Sequence, residues 1–141
     1  MTTGYSFEQL SPGMSASRGR TITEADVVAF AGMSGDYNPM HVDEEYARGT
    51  RFNGRIGHGM LTASLLSAVL GMDLPGPGAI YLHQTLYFHA PVRLGDTVTA
   101  RVEVRELRAH RRIVVFDTSC RVGEKSVLTG EALMMLPRGT A

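Results

Sequence analysis

A chain of 141 residues, 43% of them hydrophobic, is the size of one domain and long enough to bury a core. Lys plus Arg and Asp plus Glu both number 14, so no net charge argues for nucleic acid, an anionic membrane or an acidic tail. The single cysteine, Cys120, excludes an intramolecular disulfide, the five histidines lack metal-site spacing, and a reducing cytoplasm is the expected setting.

Met1 to Leu10 has no charged start leading into an apolar run, unlike a secretory leader. After this short N-terminal region, Thr23 followed by Asp26 three positions later reads as a helix start, and apolar Val27, Val28, Phe30 and Ala31 carry the helix to Gly35. From Asp36 to His41 a turn is expected. Pro39 removes a backbone donor and pushes Asn38 out of the α region, Gly35 allows an unusual backbone angle, and Asn38 can bond its own backbone. A second short helix is expected from Asp43, carrying Tyr46 and Ala47.

Met60 to Met72 contains no charge, which predicts a helix buried on nearly every side. It is too short to span a bilayer and is closed by Leu74 Pro75 Gly76 Pro77 Gly78. Burial of six or so of its large side chains would contribute roughly 10 to 15 kcal/mol before entropy is subtracted. From Ala79 onward the period changes to two. Four strands are expected, Ile80 to His89, Thr97 to Arg105, Arg112 to Val122 and Ser126 to Leu136, forming an antiparallel meander. In Thr97 to Arg105 the inward set is Val98, Ala100, Val102 and Val104. A buried helix followed by such a sheet is an α+β layout over one domain, residues 1–141.

The segment around the turn carries a motif: Phe30, then Ser34 Gly35 Asp36, then Asn38 Pro39, His41, and Ala47 after five further residues. It closely resembles the hydratase motif of the MaoC-like family, to which the R-specific enoyl-CoA hydratases belong. Met33 and Met40 stand where branched aliphatics are commoner in that motif, and both remain apolar. A second matching element is Ile56 Gly57 His58 Gly59 Met60 Leu61, directly before the apolar helix. The resemblance extends over most of the chain and implies the hot dog fold, a long buried central helix wrapped by a curved antiparallel β-sheet. It also implies a homodimer, since that fold commonly pairs by joining sheets and so covers an exposed strand edge.

By this resemblance, Asp36 and His41 hold a water and exchange its protons, and the Gly59 amide, at a helix N-terminus, donates to a thioester oxygen. Asn38 orients the loop and Ser67, two turns along the helix, supports it. The implied activity is reversible syn addition of water to trans-2-enoyl-CoA, giving (R)-3-hydroxyacyl-CoA. Coenzyme A enters as part of the acyl-CoA thioester substrate, and no cofactor, metal, nucleic acid or membrane is expected. The match is particularly close to stand-alone hydratases that feed polyhydroxyalkanoate synthesis. The alternatives are a 3-hydroxyacyl-acyl-carrier-protein dehydratase of the same superfamily and a non-catalytic acyl-thioester-binding subunit of a two-component dehydratase. Intact Asp36 and His41 argue against the silent subunit.

The other histidines, His58, His83, His89 and His110, read as local structure or ordinary strand and turn residues. Arg48, Arg51, Arg55, Arg111 and Arg112 have the chemistry to meet phosphates but read as solvated surface, and none is assigned to binding. The acyl pocket is expected between the buried helix and the sheet, with Leu65, Leu66, Leu70 and Met72 as candidates for its floor.

Overall fold

The computed structural model describes residues 3–138. A 3-10 turn, Phe7–Gln9, leads into strand β1 (Ser15–Thr21). Helix α1 (Glu24–Ser34) starts at Thr23 as expected: the Thr23 hydroxyl accepts from the Asp26 amide at 3.2 Å, and the Asp26 carboxylate accepts from the Thr23 amide at 3.1 Å. Gly35, at φ 79°, ends it in the left-handed conformation that glycine adopts without steric cost.

The expected turn from Asp36 to His41 is half turn and half helix. Residues 35–38 leave the helical path, and Pro39 then opens a short helix, α2 (Pro39–Val42), because its missing N–H and fixed φ suit the first helical position. Asn38 is extended, at ψ 124°, and its side chain accepts from the Met40 amide at 3.2 Å. Helix α3 (Glu44–Arg48) follows with Asp43 as its N-cap.

Helix α4 (Gly59–Met72) crosses a single antiparallel sheet. The sheet comprises β1, β2 (Ile80–Gln84), β3 (Tyr87–Phe88), β4 (Thr97–Arg108), β5 (Ile113–Val122) and β6 (Lys125–Met135). The strand order is β1-β4-β5-β6-β2, with β3 also pairing β6. The expected four-strand meander is therefore correct only for β4, β5 and β6. The sequence reading missed β1, whose residues pair in register with β4 from Ser15 opposite Glu103 to Thr21 opposite Thr97. The expected strand Ile80 to His89 is broken at Thr85 and Leu86. There the Thr85 carbonyl crosses over Gly130 so closely that a Cβ at Gly130 would lie 1.9 Å from its oxygen.

The inward set of β4, Val98, Ala100, Val102 and Val104, is buried as its alternation predicts. It packs with Val114, Phe116 and Cys120 of β5 and with Leu61, Leu66, Val69 and Leu70 of α4. Each of these large side chains contributes about 1.5 to 3 kcal/mol of gross burial energy. Contrary to the expectation of a helix buried on nearly every side, α4 keeps an open face along Met60, Ser64 and Ser67, and Met72 is also exposed. Neutral polar and apolar residues occur on both faces of this helix, so composition alone does not reveal the open side.

Among the described residues no helix is long and apolar enough to cross a membrane.

Candidate active site

Three segments converge at the N-terminus of α4. The Asp36 turn comes from the end of α1, His41 from α2, and the 53–58 loop leads into Gly59. The loop is pinned on both sides: the Ile56 amide donates to the Met40 carbonyl at 3.2 Å, and the Gly57 amide donates to the Val92 carbonyl at 2.7 Å. Arg55, one of the arginines read as surface, is mostly buried and ties the His41 carbonyl (2.6 Å) to Glu24 of α1 (2.5 Å). That guanidinium braces the site and is committed to it.

Within the turn, the Ser34 hydroxyl donates to the Phe30 carbonyl at 2.7 Å and accepts from the Asp36 amide at 3.1 Å. The Asp36 carboxylate accepts from the Asn38 amide at 3.1 Å. These local bonds hold the carboxyl group rigidly while leaving it exposed.

His41 is 8% exposed, and its Nδ1 lies 2.8 Å from the Ile56 carbonyl oxygen. A carbonyl only accepts, so Nδ1 carries the proton and Nε2 is left with its lone pair. His58 is buried; its ring stacks on that of His41, with centroids 4.0 Å apart and planes 29° apart. Its Nε2 donates to the Asp36 carbonyl at 3.0 Å.

A carboxylate oxygen of Asp36 and one ring nitrogen from each of His41 and His58 lie within 4.8 Å of one another. Stacked imidazoles direct their in-plane lone pairs side by side rather than toward a common point, so the trio is a poor metal cage. The cluster has room for a water instead: two hydrogen bonds of about 2.8 Å meeting at a tetrahedral angle span about 4.6 Å, inside the 4.8 Å that bounds the three groups.

A cavity of about 330 Å³ opens beside His41. His41, Gly59, Thr62, Phe88 and His89 line it, together with Arg51, Phe52, Ile56 and Val127. The Gly59 amide is at the first position of a 14-residue helix and has no intrahelical partner, so a donor aided by the helix dipole borders the same space as His41. A Cβ at Gly59 would lie 2.8 Å from a ring carbon of Phe88, so any larger residue here requires the ring or the helix start to shift.

Of the five residues expected to form the site, Asp36, His41 and Gly59 come together, and Asn38 caps the helix that carries His41. Ser67 stands apart. It makes no hydrogen bond to Asp36 or His41 and lines a second, mainly apolar hollow on the open face of α4 with Phe30, Met60, Ser64, Tyr81 and Gln84. Nor do the expected floor residues line the cavity around His41: Leu66 and Leu70 are core, Leu65 is half-buried and Met72 exposed. Sequence reasoning missed Phe88, His89, Thr62 and Val127. His89, taken for an ordinary strand residue, lies at the cavity with Nε2 2.7 Å from the Thr129 hydroxyl. Burial pushes the Cys120 thiol up to about 12, which leaves it without nucleophilic character.

One helix wrapped by an antiparallel sheet, with an acid and an imidazole poised at that helix's N-terminus, defines a hot dog protein equipped for acid–base chemistry. The chain belongs to the MaoC-like domain family, whose model matches residues 8–125. It is 55% identical over 131 residues to an (R)-specific enoyl-CoA hydratase of Rhodospirillum rubrum, covering 93% of this chain and 91% of that one. It is 50% identical over 132 residues to a 3-hydroxybutyryl-CoA dehydratase of Methylorubrum extorquens, covering 94% and 84%. The structure of the (R)-hydratase from A. caviae involved in PHA biosynthesis superposes with a TM-score of 0.90 at 45% identity, covering 92% of this chain and 99% of that one.

Proposed function

We propose that this protein is an (R)-specific enoyl-CoA hydratase, adding water reversibly to a trans-2-enoyl-CoA. The observation that carries the reading is His41, which shares a small cavity with the unpaired amide at the start of α4 and has the Asp36 carboxylate within 4.8 Å of one of its ring nitrogens. High identity to relatives named for this reaction over nearly the full length of each chain supports it.

In this reading a water sits between Asp36 and the Nε2 of His41. As its oxygen attacks C3 of the enoyl thioester, the pair takes one proton from it and delivers a proton to C2. Negative charge that builds on the thioester oxygen meets the Gly59 amide, a fixed donor that needs no reorganisation. Removing one such donor typically costs about 10² to 10³ in rate. Asp36 and His41 work as a pair, coenzyme A arrives as part of the substrate, and the chemistry requires no separate cofactor.

The active form is a homodimer. Strand β2 is one end strand of the sheet, β1 being the other, and its Ile80, Tyr81 and Leu82 are 51%, 39% and 47% exposed, with Tyr81 bordering the open face of α4. A second copy would cover both the unpaired edge and these apolar side chains. Sedimentation of the purified protein tests this: a monomer at working concentration overturns it.

The activity is tested by hydration of crotonyl-CoA, followed through loss of the conjugated thioester absorbance, with the product trapped by an R-selective dehydrogenase. Turnover to the R product without any added partner is expected. Absence of turnover on short and medium enoyl-CoA, with turnover on the acyl-carrier-protein thioester, would move the assignment to the dehydratase.

A further inference from the structure

His58 contacts the Asp36 turn, His41 and Phe30 and directly precedes Gly59, yet the reaction described above assigns it no role. It is the N-cap of α4, yet its side chain makes no capping bond. Ser, Thr, Asn or Asp would be favoured if capping were the requirement. Its ring is instead 2% exposed, stacked on His41 at 4.0 Å and tilted against Phe30 at 4.8 Å.

The hydrogen bonds settle the form of this imidazole. Nε2 lies 3.0 Å from the Asp36 carbonyl oxygen, so it carries a proton. Nδ1 is fully buried with no hydrogen-bond partner. A second proton there would place an unpaired N–H and a charge in the interior, whereas a bare lone pair is the cheaper orphan. The ring is thus the neutral Nε2–H tautomer. Asp36 and His41 are the titratable groups set against it, and Arg55, held by Glu24, is the fixed cation tied to the cluster through the His41 carbonyl.

We infer that His58 is a positioning residue. By donating to the Asp36 carbonyl and stacking on His41, its neutral imidazole locks the acid and the catalytic imidazole in register with the adjacent Gly59 amide. The Asp36 turn, α2 and α4 come from three separate segments, and this one ring joins them. Phe would preserve a stacking face without the donor. Gln would place an amide N–H near the position of Nε2 without the stack.

The inference rests on the hydratase reading, and its test separates the two. Wild type, His58→Phe and His58→Gln are assayed on crotonyl-CoA, with folded fraction followed by circular dichroism. Because misplacing reacting groups by about 1 Å can cost about 10²-fold, His58→Phe is expected to lose about 10- to 100-fold in kcat with KM within about threefold, and His58→Gln to recover part of that loss. Equal kcat in all three, or losses that only track the unfolded fraction, would overturn the inference. A readout on the resting wild type does not depend on any variant folding: imidazole 15N shifts at pH 7 should show His58 as the Nε2–H tautomer. An Nδ1–H tautomer or a doubly protonated ring would overturn it. A wild type inactive on all enoyl thioesters would defeat the hydratase reading, while an active wild type with indifferent His58 variants would defeat this inference alone.

Discussion

Two hollows flank α4, and they differ in what builds them. The first sits at the helix N-terminus, where three chain segments end and backbone polar groups fall outside the ladders: the Gly59 amide is unpaired, and the Ile56 and Asp36 carbonyls accept from the imidazoles of His41 and His58. The second runs along the open side of the helix, mainly apolar, with Ser67 and Tyr81 on its wall. Burial alone pushes the Tyr81 phenol up to about 12, so it brings no base there. Chemistry concentrates where elements terminate, because backbone groups there can hold a side chain in place or be aimed at a ligand without breaking a ladder. The side of a helix offers surface for packing.

Substitutions can break that contrast or sharpen it. The largest effect is expected for His41→Gln, a loss of about 10² to 10⁴ in kcat on an enoyl-CoA, since a positioned acid–base group contributes that much. Circular dichroism should show the fold retained. Next comes Gly59→Ala. The added Cβ meets the Phe88 ring at 2.8 Å, so the amide or the ring must shift, and a loss of about 10- to 100-fold in kcat is expected. The double variant Gly59→Ala with Phe88→Leu separates the causes: relief by the second change assigns the loss to displacement of the amide by Phe88.

Ser67→Ala should lower kcat at least about tenfold less than His41→Gln does, because Ser67 makes no bond to the turn and catalytic losses of the larger size belong to groups that move protons. An equal loss would merge the two hollows into one site. Away from both, Thr23→Ala removes the α1 cap and should cost about 1 kcal/mol of stability in denaturant unfolding, with kcat nearly unchanged.

The smallest effect concerns the far end of α4, where Arg18 of β1 grips Asp73 through two bonds of 2.6 and 2.9 Å. The Arg18 hydrogen bond holds the Asp73 carboxyl below its usual value. A depressed folded-state value means stability that is present above the ordinary carboxylate range and is lost as pH falls through the depressed one. Thermal melts of wild type should therefore weaken slightly more on acidification than those of Asp73→Asn. The difference is small because the pair is exposed to solvent.

The parts of this molecule legible in the sequence are those whose signals are local. Thr23 with Asp26, Gly35 and Asp43 mark helix ends through their own backbone chemistry, and the alternation in β4 reports a half-buried strand, whereas Pro39, read as part of a turn, opens the short helix α2. Strand β1 was not legible. Ser15 to Thr21 is small, polar and charged, mostly exposed, and becomes a strand only because β4 supplies the partner. The break between β2 and β3 was hidden for a similar reason, since it depends on Gly130 lying beneath Thr85, 45 residues away in the chain.

The site divides the same way. Asp36, His41 and Gly59 lie in two short motifs, whereas Phe88, His89 and Val127 reach the cavity from strands and loops that only the folded sheet brings together. Gly59 was visible as a helix start, but the histidine beside it, His58, showed no periodicity or spacing that set it apart from a packed ring.

The central claim is that the Asp36 turn at the start of α4 performs the chemistry. The most direct measurement is steady-state hydration of crotonyl-CoA by wild type and Asp36→Asn side by side, the amide keeping the shape of the turn while removing the carboxylate. The account predicts R product from wild type and a kcat lower by about 10²-fold or more in the variant, with KM within a few-fold. An Asp36→Asn enzyme that keeps most of its activity would contradict it.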